Sequence, residues 1–94
     1  MNENVLRNEM EKTLKKELRL LALHTRAELN LTQSKMAERY VMSEYSYADI
    51  ESGKKMCGTL TTILLLQDQK DPNKVLSEIM EKLEKIREEG YLLL

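Results

Sequence analysis

The chain has one cysteine, Cys57, and one histidine, His24. A thiol beside an imidazole can serve as nucleophile and base, but isolated residues of each type give little reason to expect catalysis. A single thiol excludes an internal disulfide and a multi-thiolate metal site, and His24 has no second imidazole with which to share a metal. No cofactor or metal is expected. Lys12, Lys15, Lys16 and Arg19 fall at three- and four-residue steps, a spacing that could hold phosphate groups along one helix face. Glu9, Glu11 and Glu17 are interleaved with them, so a solvated, charge-laced face is the expected role.

Such residues need elements to hold them, and composition restricts the choice. The chain has 94 residues, 15 basic and 16 acidic, with a formal net charge of −1. That length gives a single domain over residues 1–94. With 41% hydrophobic and 33% charged residues, it reads as globular rather than disordered. Three Gly and one Pro are too few turn formers for a sandwich or barrel of many short strands. Phe and Trp are absent, so Leu, Ile, Met, Val and Ala must build the core, and the expected class is all-α. No secretory leader and no apolar run near about 18 residues is found, so a cytoplasmic protein with no membrane partner is expected. The charge balance lacks the strongly basic footprint of a chain that holds nucleic acid by charge alone.

Periodicity predicts five helices. Met10, Leu14, Leu18, Leu21, Thr25 and Leu29 recur as an apolar stripe over an extended first helix, residues 4–29, and Asn30 offers a left-handed stop. Thr32 caps a short helix from Gln33 to about Tyr40 that buries Met36, Ala37 and Tyr40. After a break at Val41 and Met42, Ser43 caps a helix to about Ser52, closed by Gly53. Thr59 is expected to cap a fourth helix from Leu60 to about Gln69. Its run Ile63-Leu64-Leu65-Leu66 would suit a buried strand equally well, but a lone strand has nothing to pair with. Asp71 and Pro72 open a last amphipathic helix, about 72–89, ended by Gly90. Leu76, Ile79, Leu83 and Ile86 form a seam along it, too short for a free-standing coiled coil. The seam is expected to pack on its own domain or on a second copy. The apolar tail Tyr91-Leu92-Leu93-Leu94, Tyr91 in particular, is expected to join the seam in a homodimer.

From Arg26 to Lys54, two short capped helices flank a turn of a few residues, with small Ala37 where two helices must cross closely. Leu31-Thr32-Gln33, Ala37, Ser43 and Ile50-Glu51-x-Gly53-Lys54 give the stretch its character, and Leu60 and Ile63 continue it weakly. This stretch resembles the phage repressor and Cro-type helix-turn-helix family, which includes the xenobiotic-response-element-like bacterial regulators. The resemblance covers about residues 20–70. It implies a five-helix bundle, a sequence-specific DNA-binding transcriptional regulator without catalysis, and a homodimer on a two-fold operator. It further implies an ion pair between Arg26 and Glu51, Gln33 at the DNA backbone, and the Ser43–Ser52 helix facing base edges.

A helical wheel puts Tyr47, Ile50 and Glu51 on one side of the third helix and Tyr45, Ala48, Asp49 and Ser52 on the other. The first set is the expected core, and Arg26 is the candidate cation for a buried Glu51. Glu44, Tyr45, Ala48 and Asp49 are the expected base-reading residues. A carboxylate can accept from cytosine N4, and the Ala48 methyl can touch a thymine methyl. That face carries no cation, so phosphate contacts fall to Lys35, Lys54 and Lys55, with Thr32, Gln33, Ser34 and Ser43 beside them. Val41 stands where the family usually has Gly, so either the turn differs or the second helix runs longer. Tyr47 replaces a branched aliphatic, and its hydroxyl needs a partner. The acidic third helix also fits an alternative, a helix-turn-helix scaffold that binds a basic protein as an antitoxin, anti-repressor or adaptor.

Overall fold

The apolar stripe of the first helix dictates the architecture. In the computed structural model, which describes residues 2–93 and the side chains of 2–90, five helices form an all-α bundle. They are α1 (Glu3–Leu29), α2 (Gln33–Arg39), α3 (Glu44–Ser52), α4 (Thr59–Gln67) and α5 (Pro72–Leu93). At 1.5 Å per residue α1 is about 40 Å long, and Asn2 caps it by accepting the Val5 N–H at 2.9 Å. Leu18, Ala22 and Thr25 form its buried face, with Leu14 and Leu21 packed beside them, while Leu29 at the end of the stripe is exposed. Met36, Tyr47 and Leu65 are fully buried at the centre, so α1 to α4 share one core. The Tyr40 and Tyr47 rings meet there with centroids 6.3 Å apart. No described helix is long and apolar enough to cross a membrane.

Three of the expected boundaries shift. Gly58, not Thr59, caps α4; Thr62 Oγ1 donates back to the Gly58 carbonyl at 2.8 Å. The helix stops at Gln67 rather than Gln69, and Gln69 folds over its end to donate to the Leu65 carbonyl and to Thr25 Oγ1. Helix α5 does not end at Gly90. A Cβ there would overlap the Leu6 Cδ1 methyl, so this glycine lets α5 pass close to α1 and the helix runs on. Leu65 is the buried residue of α4, whereas Leu60 and Ile63 point outward.

The α5 seam divides. Ile79 is buried within the chain and Leu83 packs on the same core, so these two expected interface residues serve the monomer. Ile86 is half-buried, and Leu76 is exposed together with Met80 one turn on. Tyr91 lies outside the described side chains, as does the rest of the apolar tail.

Helices α1, α2 and α3 end alike. In each, a residue with positive φ reverses the chain: Asn30 at 54°, Val41 at 56° and Gly53 at 80°. In each, the following N–H reaches back five residues, Leu31 to the Arg26 carbonyl, Met42 to Ala37 and Lys54 to Asp49. The turn at Val41 therefore keeps its left-handed geometry without a glycine, and α2 does not lengthen. Its neighbours hold it there. The Tyr40 hydroxyl donates to Asp68 at 2.7 Å, Arg39 pairs with the same carboxylate, and Met42 packs on the core. Val41 itself is 85% exposed, so nothing packs against its side chain to offset the backbone cost of about 1–2 kcal/mol. Val41→Gly and Val41→Asn are expected to stabilise the fold by about 1 kcal/mol, a rise of about 4–8 °C in a thermal melt. A lower melting temperature in both variants would show that the valine is favourable where it stands.

Candidate nucleic-acid interface

The surface around α3 is set by what its buried side holds. Tyr47, Ile50 and Glu51 are buried, as the wheel requires. A carboxylate at that depth needs compensation. Arg26 on α1 supplies it, with Nε donating to Glu51 Oε2 at 2.8 Å and a terminal nitrogen donating to Oε1 at 3.0 Å. This two-pronged pairing fixes the direction of both side chains. Arg26 also donates to the Leu31 carbonyl, and Gln33 donates to Glu51 Oε1 at 3.3 Å. Arg19 reaches the same end of α3, donating to the Glu51 carbonyl at 2.7 Å. One glutamate thus fastens α3 to α1 and to the start of α2. The Tyr47 hydroxyl lies 3.4 Å from the Ala22 carbonyl, the partner its replacement of an aliphatic residue demands.

Burial alone pushes the Glu51 carboxyl up, but the hydrogen bonds from Arg26 and Gln33 outweigh it and hold the group below the usual carboxylate range. The hydrogen bond from Arg39 likewise lowers the Asp68 carboxyl. Burial pushes the Cys57 thiol up, and His24 is exposed on α1. Among the described residues no group of three or more His, Cys, Asp or Glu is arranged to hold a metal.

The outward side of α3 is open. Tyr45 is 87% exposed and Glu44 is exposed at the helix start. Together with Ala48 and Gln33 they line a shallow cleft of about 220 Å³ between α3 and the start of α2. Three of the four expected base-reading residues therefore converge with one expected backbone residue. Asp49 does not join them; it is half-buried and lies 3.7 Å from Lys55 Nζ. Gln33 is half-buried, with its amide turned inward to Glu51.

The expected phosphate-contacting residues divide by engagement. Thr32 and Ser43 spend their side chains on capping, accepting the Lys35 and Ser46 N–H groups at 3.1 Å. Lys35 Nζ is 3.1 Å from Glu38, an exposed pair of little energetic weight. Ser34 and Lys54 are exposed, and Lys54 stands just past the α3 stop with no carboxylate within 4.0 Å among the described residues. Sequence reasoning missed the Arg39–Asp68–Tyr40 cluster that steadies the turn. It joins the end of α2 to the end of α4, and no spacing in the chain announces that contact.

Loss of the clamp should be measurable as stability. Glu51→Gln is expected to cost about 2 kcal/mol, the scale of hydrogen bonds to a charged group. Arg26→Met should cost more, about 3–5 kcal/mol, because it leaves a buried carboxylate without its cation. Because folding lowers this carboxyl, its contribution is present above its ordinary value of about 4.3 and is lost as pH falls through the lowered one. Thermal melts from about pH 7 to about pH 2 should show a steep acid limb in the wild type and a shallower one in Glu51→Gln. Identical limbs would place the acid sensitivity elsewhere.

No known protein family, characterised protein or solved structure matches this chain.

Proposed function

We propose that the chain is a sequence-specific DNA-binding regulator of transcription, a cytoplasmic homodimer without catalysis, with α3 as its reading helix. The observation that carries this reading is the outward face of exposed Glu44 and Tyr45 and half-buried Ala48 on a short helix anchored from behind by a charged clamp. A reading helix must be rigid and must present several side chains to base edges at once. The likeness to the phage repressor and Cro-type family supports the same reading. Tyr45 can donate a hydroxyl, Ala48 can meet a thymine methyl and Glu44 can accept from cytosine. Lys54 and Lys55 supply sequence-independent phosphate contacts at the far end of the helix.

A salt titration of pooled duplex DNA is expected to give a linear log–log dependence. Lys54→Ala with Lys55→Ala should weaken all sequences alike and reduce the slope by about 2, one for each phosphate that a lysine no longer neutralises. Tyr45→Ala should relax sequence preference, at about 1–3 kcal/mol of discrimination. Absence of binding at low salt would reject this reading. A second reading is favoured by the exposed carboxylate of Glu44: the same face would dock a basic protein. Failed DNA binding together with recovery of one basic partner in a pull-down would select it.

The homodimer is proposed to form through the part of α5 that the monomer leaves uncovered, Leu76 and Met80, 42% and 54% exposed. Light scattering at micromolar concentration is expected to give twice the chain mass, and Leu76→Glu with Met80→Glu should halve it. A wild-type protein at the single-chain mass would reject the dimer.

A further inference from the structure

We propose that the cleft between α1 and the loop after α3 is a second phosphate-binding track, which follows the backbone of a nucleic-acid duplex beyond the reach of α3. This rests on the reading of α3 as a DNA-reading helix and extends it to a surface which that reading leaves unused.

Lys12, Lys15, Lys16 and Arg19 occur at i, i+3, i+4 and i+7 of α1, which sets them along one helix face. The sequence alone favours a solvated face, because glutamates are interleaved with these cations. The fold changes that reading. The four cations, with Gly53 and Met56, line a cleft of about 480 Å³. The cleft has one carboxylate, Glu11, against four cations, and Glu11 lies 3.3 Å from Arg7 in an exposed pair. Among the described residues, Lys12, Lys15 and Lys16 have no carboxylate within 4.0 Å. Like charges one helical turn apart repel, so a bound anion would relieve a cost the free protein carries.

The floor of the cleft is already organised. Arg19 is held by the Glu51 carbonyl through Nε, and its Cδ lies 3.5 Å from where a Cβ at Gly53 would stand. Gly53 suits the left-handed stop, and the Arg19 side chain lies in van der Waals range of it. Lys54 and Lys55 continue from that point, so the cationic track begins where α3 ends.

Its length selects a polymer over a small anion. Seven residues of helix rise about 10 Å; one strand of a duplex advances about 3.4 Å per nucleotide along its axis, and its winding sets successive phosphates about twice that far apart, so the track spans about two successive phosphates. A single inorganic phosphate would occupy one end. The track would also offset the acidic character of the α3 face, whose Glu44 carboxylate repels the phosphates on either side of a groove.

The test is a salt titration of a random-sequence duplex pool, read by fluorescence anisotropy on the full chain. The groove variant carries Lys12→Gln, Lys15→Gln and Lys16→Gln. A charge-matched variant carries Lys70→Gln, Lys74→Gln and Lys85→Gln, outside the cleft. All six positions are on the surface or half-buried, and melting curves check that both variants fold. The groove variant is expected to lose about 2 from the log–log slope, about 0.9 per phosphate neutralised, and the charge-matched variant to keep the wild-type slope. A wild-type slope in the groove variant overturns the track and leaves α3 as a DNA reader. Equal losses in the two variants overturn it as well, because net charge alone would then account for the effect. No binding by the wild type at low salt overturns the DNA reading and the track with it.

Discussion

A single buried carboxylate governs how this bundle holds its surface. Glu51 takes Arg26 from α1 and Gln33 from α2, while its backbone carbonyl takes Arg19. Purely apolar packing could hold α3 against α1 with similar affinity, because a buried ion pair is seldom worth more than a well-packed apolar substitute. What the pair adds is direction. A two-pronged guanidinium–carboxylate contact tolerates little rotation, so the face opposite Glu51 is held in one orientation. Tyr45 and Ala48 lie on that face. Their orientation as the proposed reading surface therefore depends on a charge held on the opposite side of the helix.

Most of the scaffold was legible because local chemistry and tertiary need coincide. Ser43, Thr32 and Asp71 are the residue types that satisfy helix N-termini, and all three do so. Glu51 at a core phase demanded a cation, and Arg26 was the one in reach. Asn30 and Gly53 announce their left-handed stops by residue type, whereas Val41 adopts the same conformation against its preference. There the neighbours decide. Gly90 misleads for a related reason: a glycine near a helix end signals a stop, but a helix that must approach another closely needs one in its interior. The candidate site was legible as a set of outward residues on α3. The inward turn of Gln33 and the separation of Asp49 were not, since both depend on where other helices place Glu51 and Lys55.

The charge distribution carries the main tension. The surface of α3 is acidic at its start, and the cations lie around it rather than on it. Wherever affinity comes from flanking cations, it is independent of sequence and sensitive to salt, while discrimination falls to a few polar and methyl contacts. The division is physically coherent. Carboxylates on a reading helix penalise most base pairs and accept from cytosine, so they select by exclusion as much as by attraction.

The close pass of Gly90 against Leu6 bears on the order of assembly. These residues lie near opposite ends of the chain, and α1 packs more extensively on α5 than on any other helix. Contacts between α2 and α3, by contrast, span a short turn. Closing a long loop costs more chain entropy than closing a short one, and contacts of large sequence separation slow folding. The short pair has only a small loop to close, while the last helix must search for a partner laid down first. In synthesis from the ribosome, the Leu6 end of the long opening helix would stay wet until α5 has emerged.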